Sequence, residues 1–125
     1  GAATVALGKH CCAVLGNDSQ LIHQIKKSGE KTGERMWELP MFDEYLDDIK
    51  STHADLKNSA NNPAGGTIRG GIFLQQFIKP KMKWAHLDIA ATSWDMGHLS
   101  YCPKQGASGL YVRALAQFAM DYGNE

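Results

Sequence analysis

The sequence predicts a single α/β domain, and three features carry that prediction. The segment KWAHLDIAATSW, residues 83–94, is the longest run with few hydrophilic side chains. Its period-2 alternation predicts a buried, central strand at about Lys83–Ala90, with His86 and Asp88 on one face. Other segments have the hydrophobic spacing of helices, and two short apolar runs lie near the N-terminus. Together these features predict a small mixed sheet flanked by about four helices.

The strands other than the central one are predicted near the start of the chain. The runs Ala2–Leu7 and Cys11–Leu15 contain β-branched residues and predict two strands, for which a hairpin is one arrangement. Further along, Glu34–Pro40 has no hydrophobic periodicity and ends at a proline. That segment is therefore predicted to be a loop in which Trp37 is anchored.

Helices are predicted in four segments. The first begins at Asn17 or Asp18 as N-cap and ends at Gly29 or Gly33. The other three are indicated by these apolar positions: Phe42, Tyr45, Leu46 and Ile49; Ile68, Ile72, Leu74, Phe77 and Ile78; Tyr111, Leu115, Phe118 and Tyr122. The glycine pair at 70–71 costs its helix about 1 kcal/mol per residue relative to Ala, so we expect this helix to approach the sheet closely.

Composition excludes several classes of protein. The chain of 125 residues has 13 basic and 13 acidic residues and no basic run longer than Lys26-Lys27, so a nucleic-acid partner is not expected. No apolar run is long enough for a membrane span, and no signal-peptide pattern is present. Three cysteines without a CxxC motif argue against a disulfide framework or zinc knuckle and are typical of a reducing, cytoplasmic environment. The chain starts in an apolar run without Met, which we interpret as a cut through a larger protein.

Residue chemistry alone supplies no complete active site. An unpaired buried carboxylate costs several kcal/mol, so Asp88 is expected either to be hydrogen-bonded in place or to border a site. His86 and Asp88 are too few ligands for a metal, and the simpler interpretation is a core histidine and a carboxylate that braces a turn. Ser93 and Ser108 lie outside any GxSxG motif, and Cys102 has no basic partner that the sequence identifies.

The glycine-rich segment before the third helix has two interpretations. Gly65-Gly66-Thr67 precedes a helix and in principle cradles an anion at the helix N-terminus. The segment lacks the lysine of a P-loop, so helix entry and tight packing are favoured.

Several motifs occur in the order found in one enzyme family. They are GERMWELP (33–40), Tyr45, Ser51 with Ala54, Asp55 and Asn58, Gly65-Gly66, FLQQF (73–77), WAHLDIA (84–90), and Gly106–Gly109 with Arg113. Across almost the whole chain the sequence resembles the C-terminal part of the leucyl (cytosol) aminopeptidase family, which are two-metal exopeptidases. The opening GAATVALG resembles the family's strand after its catalytic segment.

This resemblance implies a fold and an activity. The fold is a three-layer αβα fragment, 1–125, which is an incomplete version of a larger zinc-exopeptidase-like domain. Family members release N-terminal residues from peptides with two divalent ions, zinc or manganese. Their metal ligands and catalytic residues precede the segment that this chain matches. The resemblance therefore implies no catalytic residue and no metal ligand in this chain, no ion bound to it, and no activity of the chain alone.

The resemblance also implies which residues contact substrate. The pocket for the substrate's N-terminal side chain maps to Gly1, Ala90 and Ser93. Ser93 stands where some members have Met, and Ala91 where Gly is usual. The implied partners are a peptide substrate, the missing N-terminal part and, when intact, a homo-oligomer (hexamer) in the cytoplasm.

Two alternatives remain open from the sequence. One is a non-catalytic α/β module that keeps this fold and binds a partner through its exposed face. The other is a redox or metal-binding domain that uses Cys11, Cys12 and Cys102.

Overall fold

A three-stranded mixed sheet lies at the centre of the structure, a computed structural model that describes residues 1–124. Its strands are β1 (Cys12–Gly16), β2 (Met36–Glu38) and β3 (Ala85–Asp88), in the order β2-β1-β3. β2 runs parallel to β1, and β3 runs antiparallel to it. The prediction of a central strand at 83–90 is thus wrong for this chain, because β1 occupies the centre and β3 an edge. The residues of β3 are accordingly half-buried, whereas residues 12–15 of β1 are fully buried.

The helices flank this sheet. They are α1 (Ala2–Leu7), α2 (Ser19–Thr32), α3 (Gly66–Gln75) and α4 (Val112–Asp121), with a 3₁₀ helix at Asp43–Ile49. All four predicted helices are present. They correspond to α2, the 3₁₀ helix, α3 and α4, so the helix predicted at 42–49 is 3₁₀ rather than α. Its apolar spacing suits both forms, because side chains at i and i+3 share a face in each.

The N-terminal prediction is wrong: Ala2–Leu7 forms α1, not a strand, and it makes no hairpin with β1. A run this short has no period that separates helix from strand. Alanine has the highest helix propensity, and it occupies three of the six positions of AATVAL.

The segment 34–40 contains strand β2, which the sequence predicted as loop. Three residues are too few for an alternation to be visible, and the strand forms because β1 offers it backbone partners. The N–H of Leu39 donates to the carbonyl of Val14 at 3.0 Å, and the N–H of Cys12 donates to that of Arg35 at 3.2 Å. Trp37 is 64% exposed, so the prediction that it is anchored is wrong.

Two hydrophobic clusters form, one on each face of β1. Cys12 and Val14 pack against α2 and α4, while Ala13 and Leu15 pack against α3 and the 3₁₀ helix. The core partners are Ile22, Ile25, Tyr111 and Ala114 on the first face and Ile49, Ile68 and Ile72 on the second. Alternation along one buried strand therefore divides the helices into two layers, and the predicted αβα arrangement is confirmed.

Local signals set the ends of α2 and the position of α3. The carboxylate of Asp18 accepts from the N–H of Leu21 at 2.8 Å, and Gly33 ends α2 in the left-handed region, with a φ of 74°. In α3, a Cβ added at Gly71 would lie 3.3 Å from Leu15, whereas one at Gly70 would meet nothing within 4 Å. Gly71 alone thus accounts for the close approach of α3 to the sheet. In residues 1–124, no helix combines the length and the apolar character that crossing a membrane requires.

Candidate functional site

The turn that follows β3 is held by its own side chains. Asp88 accepts a hydrogen bond from the N–H of Ala90 at 3.3 Å, and the Ser93 hydroxyl donates to the carbonyl of Ala90 at 3.4 Å. Asp88 is half-buried, so the expected cost of a fully buried carboxylate does not arise. Asp88 therefore braces the turn, which was one of its two predicted roles. The turn brings Ala90 and Ser93 together and leaves Ala90 exposed.

The loop after this turn is closed at its base. Thr92 is 1% exposed, and its carbonyl accepts from the Ser108 hydroxyl at 2.7 Å. The N–H of Ser108 donates to the carbonyl of Ser93 at 2.9 Å, and Asp95 accepts from the N–H of Gly106 at 2.8 Å. Ser108 therefore has a structural place. The same bonds fix the position of Ser93.

A buried carboxylate joins this loop region to the helical layer. Glu34 is 3% exposed and accepts hydrogen bonds from the backbone N–H groups of Tyr111 and Ala114, the latter at 2.9 Å. These groups lie at the start of α4, where unpaired N–H groups and the helix dipole favour a negative charge. Arg113 lies 3.6 Å from the same carboxylate. Glu34 thus caps α4 from a distant part of the chain.

Tyr111 connects this cap to β1. Its backbone has a φ of 73°, which is uncommon for a residue with a side chain. Its hydroxyl accepts from the N–H of Cys12 at 2.8 Å and donates to the carbonyl of Arg35 at 2.7 Å. The start of α4 is therefore fixed to β1 and to the segment that leads into β2.

Sequence reasoning missed the role of Glu34. One signal was available: the residues directly before α4 include no Asp, Asn, Ser or Thr at the N-cap, which is Tyr111. A helix without a local cap needs a partner from elsewhere for its first N–H groups.

A cleft of about 260 Å³ lies beside this loop. Its lining includes Glu34, Thr92 and Tyr111, and His10 and His98 meet there with ring centroids 5.8 Å apart. The fold thus brings together two side chains that no motif connects.

His86 and Asp88, which the sequence indicated as too few ligands for a metal, lie on β3. His86 stacks on Trp84, with ring centroids 6.3 Å apart and an interplanar angle of 12°. Across residues 1–124, no group of three or more His, Cys, Asp or Glu side chains is placed to hold a metal ion. His10 and His98 together offer two imidazoles, which are fewer ligands than protein metal sites ordinarily use.

Gly1, the third predicted substrate-contacting residue, lies at a different surface. It lines an apolar groove of about 590 Å³ formed by α1 and the start of α3. Neither Ala90 nor Ser93 belongs to the lining of that groove. The structure thus groups two of the three predicted residues.

Burial distinguishes one cysteine from the other two. Desolvation raises the pKa of Cys12 from its ordinary value of 9.0 to about 12, and burial likewise raises the pKa of Tyr111. Cys11 and Cys102 are half-buried. Because the folded thiol stays protonated where the unfolded one ionises, Cys12 makes the fold lose stability as the pH rises from about 9 towards about 12.

We therefore expect an aromatic disulfide reagent at about pH 8 to modify two thiols of the native chain, with the third reacting only after denaturation. A spectrophotometric thiol count checks this. The variant Cys12→Ser should keep the native count and lose one thiol from the denatured count. Rapid modification of all three thiols in the native chain would contradict the assigned burial.

The model of the cytosol aminopeptidase family, catalytic domain, matches residues 1–116. The chain belongs to this family. The match spans every helix and strand described above except the end of α4. Of the family-like motifs, GERMWELP supplies Glu34 and β2, and WAHLDIA supplies β3 and its turn.

Individual members of the cytosol aminopeptidase family agree with this assignment. The chain is 50% identical over 118 residues to a probable cytosol aminopeptidase of Geobacter sp. (strain M21), covering 94% of this chain and 23% of that protein. It is 49% identical, with the same coverage, to the corresponding protein of Geobacter sulfurreducens. The chain therefore spans about a quarter of the length of these curated relatives.

Solved structures give the same result. The chain matches a mutant of tomato leucine aminopeptidase with a TM-score of 0.86 and 32% identity, over 96% of this chain and 22% of that one. It matches the bottromycin maturation enzyme BotP with a TM-score of 0.89 and 34% identity, over 98% of this chain and 27% of that one. The fold is thus that of one portion of leucine aminopeptidase domains.

Proposed function

We propose that this chain is the C-terminal part of the catalytic domain of a metal-dependent, leucyl-type aminopeptidase that releases N-terminal residues from peptides in the cytoplasm. One observation carries the proposal: the family match covers residues 1–116, while the chain accounts for 23% of the Geobacter sp. relative. A chain of this extent supplies part of an active site, and the rest of the polypeptide supplies the remainder.

The part supplied by this chain is a wall of the substrate pocket. Ala90 is exposed at the end of β3, in a turn held by Asp88 and Ser93. A methyl group at this position leaves room for an apolar substrate side chain, and a turn fixed by hydrogen bonds keeps the wall in place. Gly1 lies at a different surface of this chain, so the wall proposed here is formed by Ala90 and Ser93.

Metal ions are expected to bind only in the intact enzyme. Two divalent ions, zinc or manganese, would polarise the scissile carbonyl and activate water. The residues present do not fit such a centre, since residues 1–124 hold no cluster of three ligating side chains. A structure of BotP is described as a complex with Mn, which supports divalent-metal use in the family. We infer that the ligands come from the remainder of the polypeptide, and that the intact protein assembles as a homo-oligomer, a hexamer.

The expected result for the purified 125-residue chain is no hydrolysis of leucine p-nitroanilide with manganese or zinc. The longer polypeptide that carries this chain should hydrolyse it under the same conditions. Absorbance of released nitroaniline measures both. Turnover by the short chain would contradict the assignment of the catalytic groups to the rest of the protein, and an inactive longer polypeptide would favour the interaction module.

The pocket-wall role has its own test in the longer polypeptide. Ala90→Phe should lower kcat/KM for leucine p-nitroanilide by about tenfold or more, with a smaller loss for the glycine analogue, because the larger side chain fills the pocket. Ala54→Phe, in an exposed loop, is the matched control and should leave both values unchanged. Equal losses for the two substrates would argue against a role of Ala90 in side-chain selection.

A further inference from the structure

The turn that carries Ala90 and Ser93, residues 89–93, takes its shape from local hydrogen bonds. The N–H of Thr92 donates to the carbonyl of Ile89 at 2.9 Å, and the Ser93 hydroxyl donates to that of Ala90 at 3.4 Å. Both bonds join residues that are three apart, so they shape the turn without attaching it to another part of the fold. Apart from its connection to β3, the turn is held in place by a segment that lies further along the chain.

Ser108 makes that attachment with both its side chain and its backbone. The Ser108 hydroxyl donates to the carbonyl of Thr92 at 2.7 Å and accepts from the N–H of Leu110 at 3.2 Å. The N–H of Ser108 donates to the carbonyl of Ser93 at 2.9 Å. The hydroxyl therefore links the turn to the segment that leads into α4, across 16 residues of sequence.

The segment that bears Ser108 is itself fixed to the centre of the fold. Three residues after Ser108 comes Tyr111, which is 4% exposed. Its hydroxyl accepts from the N–H of Cys12 at 2.8 Å and donates to the carbonyl of Arg35 at 2.7 Å. Ser108 thus connects the turn to a point that the sheet holds in place.

Loss of the Ser108 hydroxyl would leave a buried acceptor without its donor. Thr92 is 1% exposed, so its carbonyl has almost no access to water in this position. A buried carbonyl without a donor is unfavourable, and movement of the turn toward water or another donor relieves it. Ala90 and Ser93 lie in the same turn and would move with Thr92. The bonds donated by the N–H groups of Ser108 and Asp95 at the base of the loop do not use the hydroxyl and would keep the loop closed.

We propose that Ser108 is a positioning residue that determines the depth of the side-chain pocket through the carbonyl of Thr92. In this assignment Ser108 does not contact substrate, and it acts by fixing how close Ala90 and Ser93 lie to the substrate's side chain. The inference rests on the proposed function, because it requires Ala90 and Ser93 to form the pocket wall. It adds a residue that controls selection between large and small apolar N-terminal residues.

The test measures, in the longer polypeptide, the ratio of kcat/KM for leucine p-nitroanilide to kcat/KM for the glycine analogue. Ser108→Ala should lower this ratio by about threefold to tenfold, chiefly through a higher KM for the leucine substrate. The displaced wall fits a branched side chain less well, whereas glycine has no side chain to contact it. Ser108→Thr keeps the hydroxyl and should restore the original ratio. Ser100→Ala, at an exposed position of the same loop, is the matched control and should change neither value.

A role of Ser108 in stability alone gives a different pattern. Ser108→Ala would then lower the melting temperature and the amount of active enzyme, and activity on the two substrates would fall equally. An unchanged ratio of this kind would overturn the inference. If Ser108→Ala does not fold, Ser108→Cys decides, because its thiol is a weaker donor and should shift the ratio in the same direction. An unchanged ratio in a folded Ser108→Cys would equally overturn the inference.

Failure of the proposed function gives a separate result. A longer polypeptide without any activity on either substrate would overturn the proposed function and this inference together. An active enzyme in which Ala90→Phe changes the ratio and the Ser108 variants do not would keep the pocket wall. That outcome would reject only Ser108 as the residue that positions it.

Discussion

Glu34→Ala should lower the free energy of unfolding by about 3 kcal/mol, among the largest effects expected of a single substitution in this chain. The carboxylate is 3% exposed and accepts from two backbone N–H groups at the start of α4. Alanine removes both acceptors and leaves those groups buried without partners. It also takes the negative charge away from Arg113 and from the positive end of the helix dipole. Urea unfolding followed by circular dichroism measures the change.

The matched control is Glu30→Ala. Glu30 is exposed on α2, four residues before Glu34, and its loss should change stability by no more than about 0.5 kcal/mol. Glu34→Gln, which keeps one acceptor oxygen but no charge, should fall between the two. If Glu34→Ala and Glu30→Ala had equal effects, the hydrogen bonds from α4 would contribute nothing to stability.

The sequence predicts the parts of this fold whose signals are local. Asp18 and Gly33 lie at the ends of α2, and each was one of two positions that the sequence offered, because capping uses residues within one turn of the helix. The apolar spacing of α2, α3 and α4 identifies their buried faces for the same reason. The αβα layers came instead from the resemblance to the aminopeptidase family, because the sequence did not identify β1 as the central strand.

Strand order and short elements could not be predicted this way. The hydrophobic pattern of 83–90 predicts a central strand, yet this strand lies at an edge of the sheet in this chain. A strand's position depends on which other strands pair with it, and its own sequence pattern does not contain that information. β2 has three residues and forms only on contact with β1. α1 packs at the start of α3, where a Cβ added at Gly66 would lie 2.7 Å from Ala2, and no periodicity reveals such a contact.

The residues of the candidate site show the same difference between local and long-range contacts. Ala90 and Ser93 were identified from the resemblance to the aminopeptidase family, and the hydrogen bond between them spans only three residues. The cap that Glu34 provides to Tyr111 spans 77 residues and depends on the complete fold. His10 and His98 meet for the same reason. A sequence indicates such a long-range partner only where a local one is missing, as at the start of α4, whose N-cap residue offers no side-chain acceptor.

Gly29→Ala and Gly70→Ala should change stability in opposite directions, although each places alanine inside a helix. Intrinsic propensity favours alanine over glycine by about 1 kcal/mol at both positions. At Gly70 nothing lies within 4 Å of an added Cβ, so that gain should appear almost undiminished. At Gly29 the Cβ would overlap the carbonyl oxygen of Glu34 and lie 3.2 Å from Met36.

The overlap at Gly29 involves backbone, which cannot rotate aside as a side chain does. The N–H of Glu34 also donates to the carbonyl of Gly29 at 2.8 Å, so the two segments cannot separate without losing that bond. Overpacking of this kind costs about 1–3 kcal/mol or more, which exceeds the gain in propensity. We therefore expect Gly29→Ala to lower the free energy of unfolding by about 2 kcal/mol and Gly70→Ala to raise it by up to about 1 kcal/mol. The urea midpoints of both variants, at equal m-values, measure these changes in stability. A stabilising Gly29→Ala would mean that α2 and the segment bearing Glu34 are not in contact. The contact that positions Glu34 as the cap of α4 would then be absent.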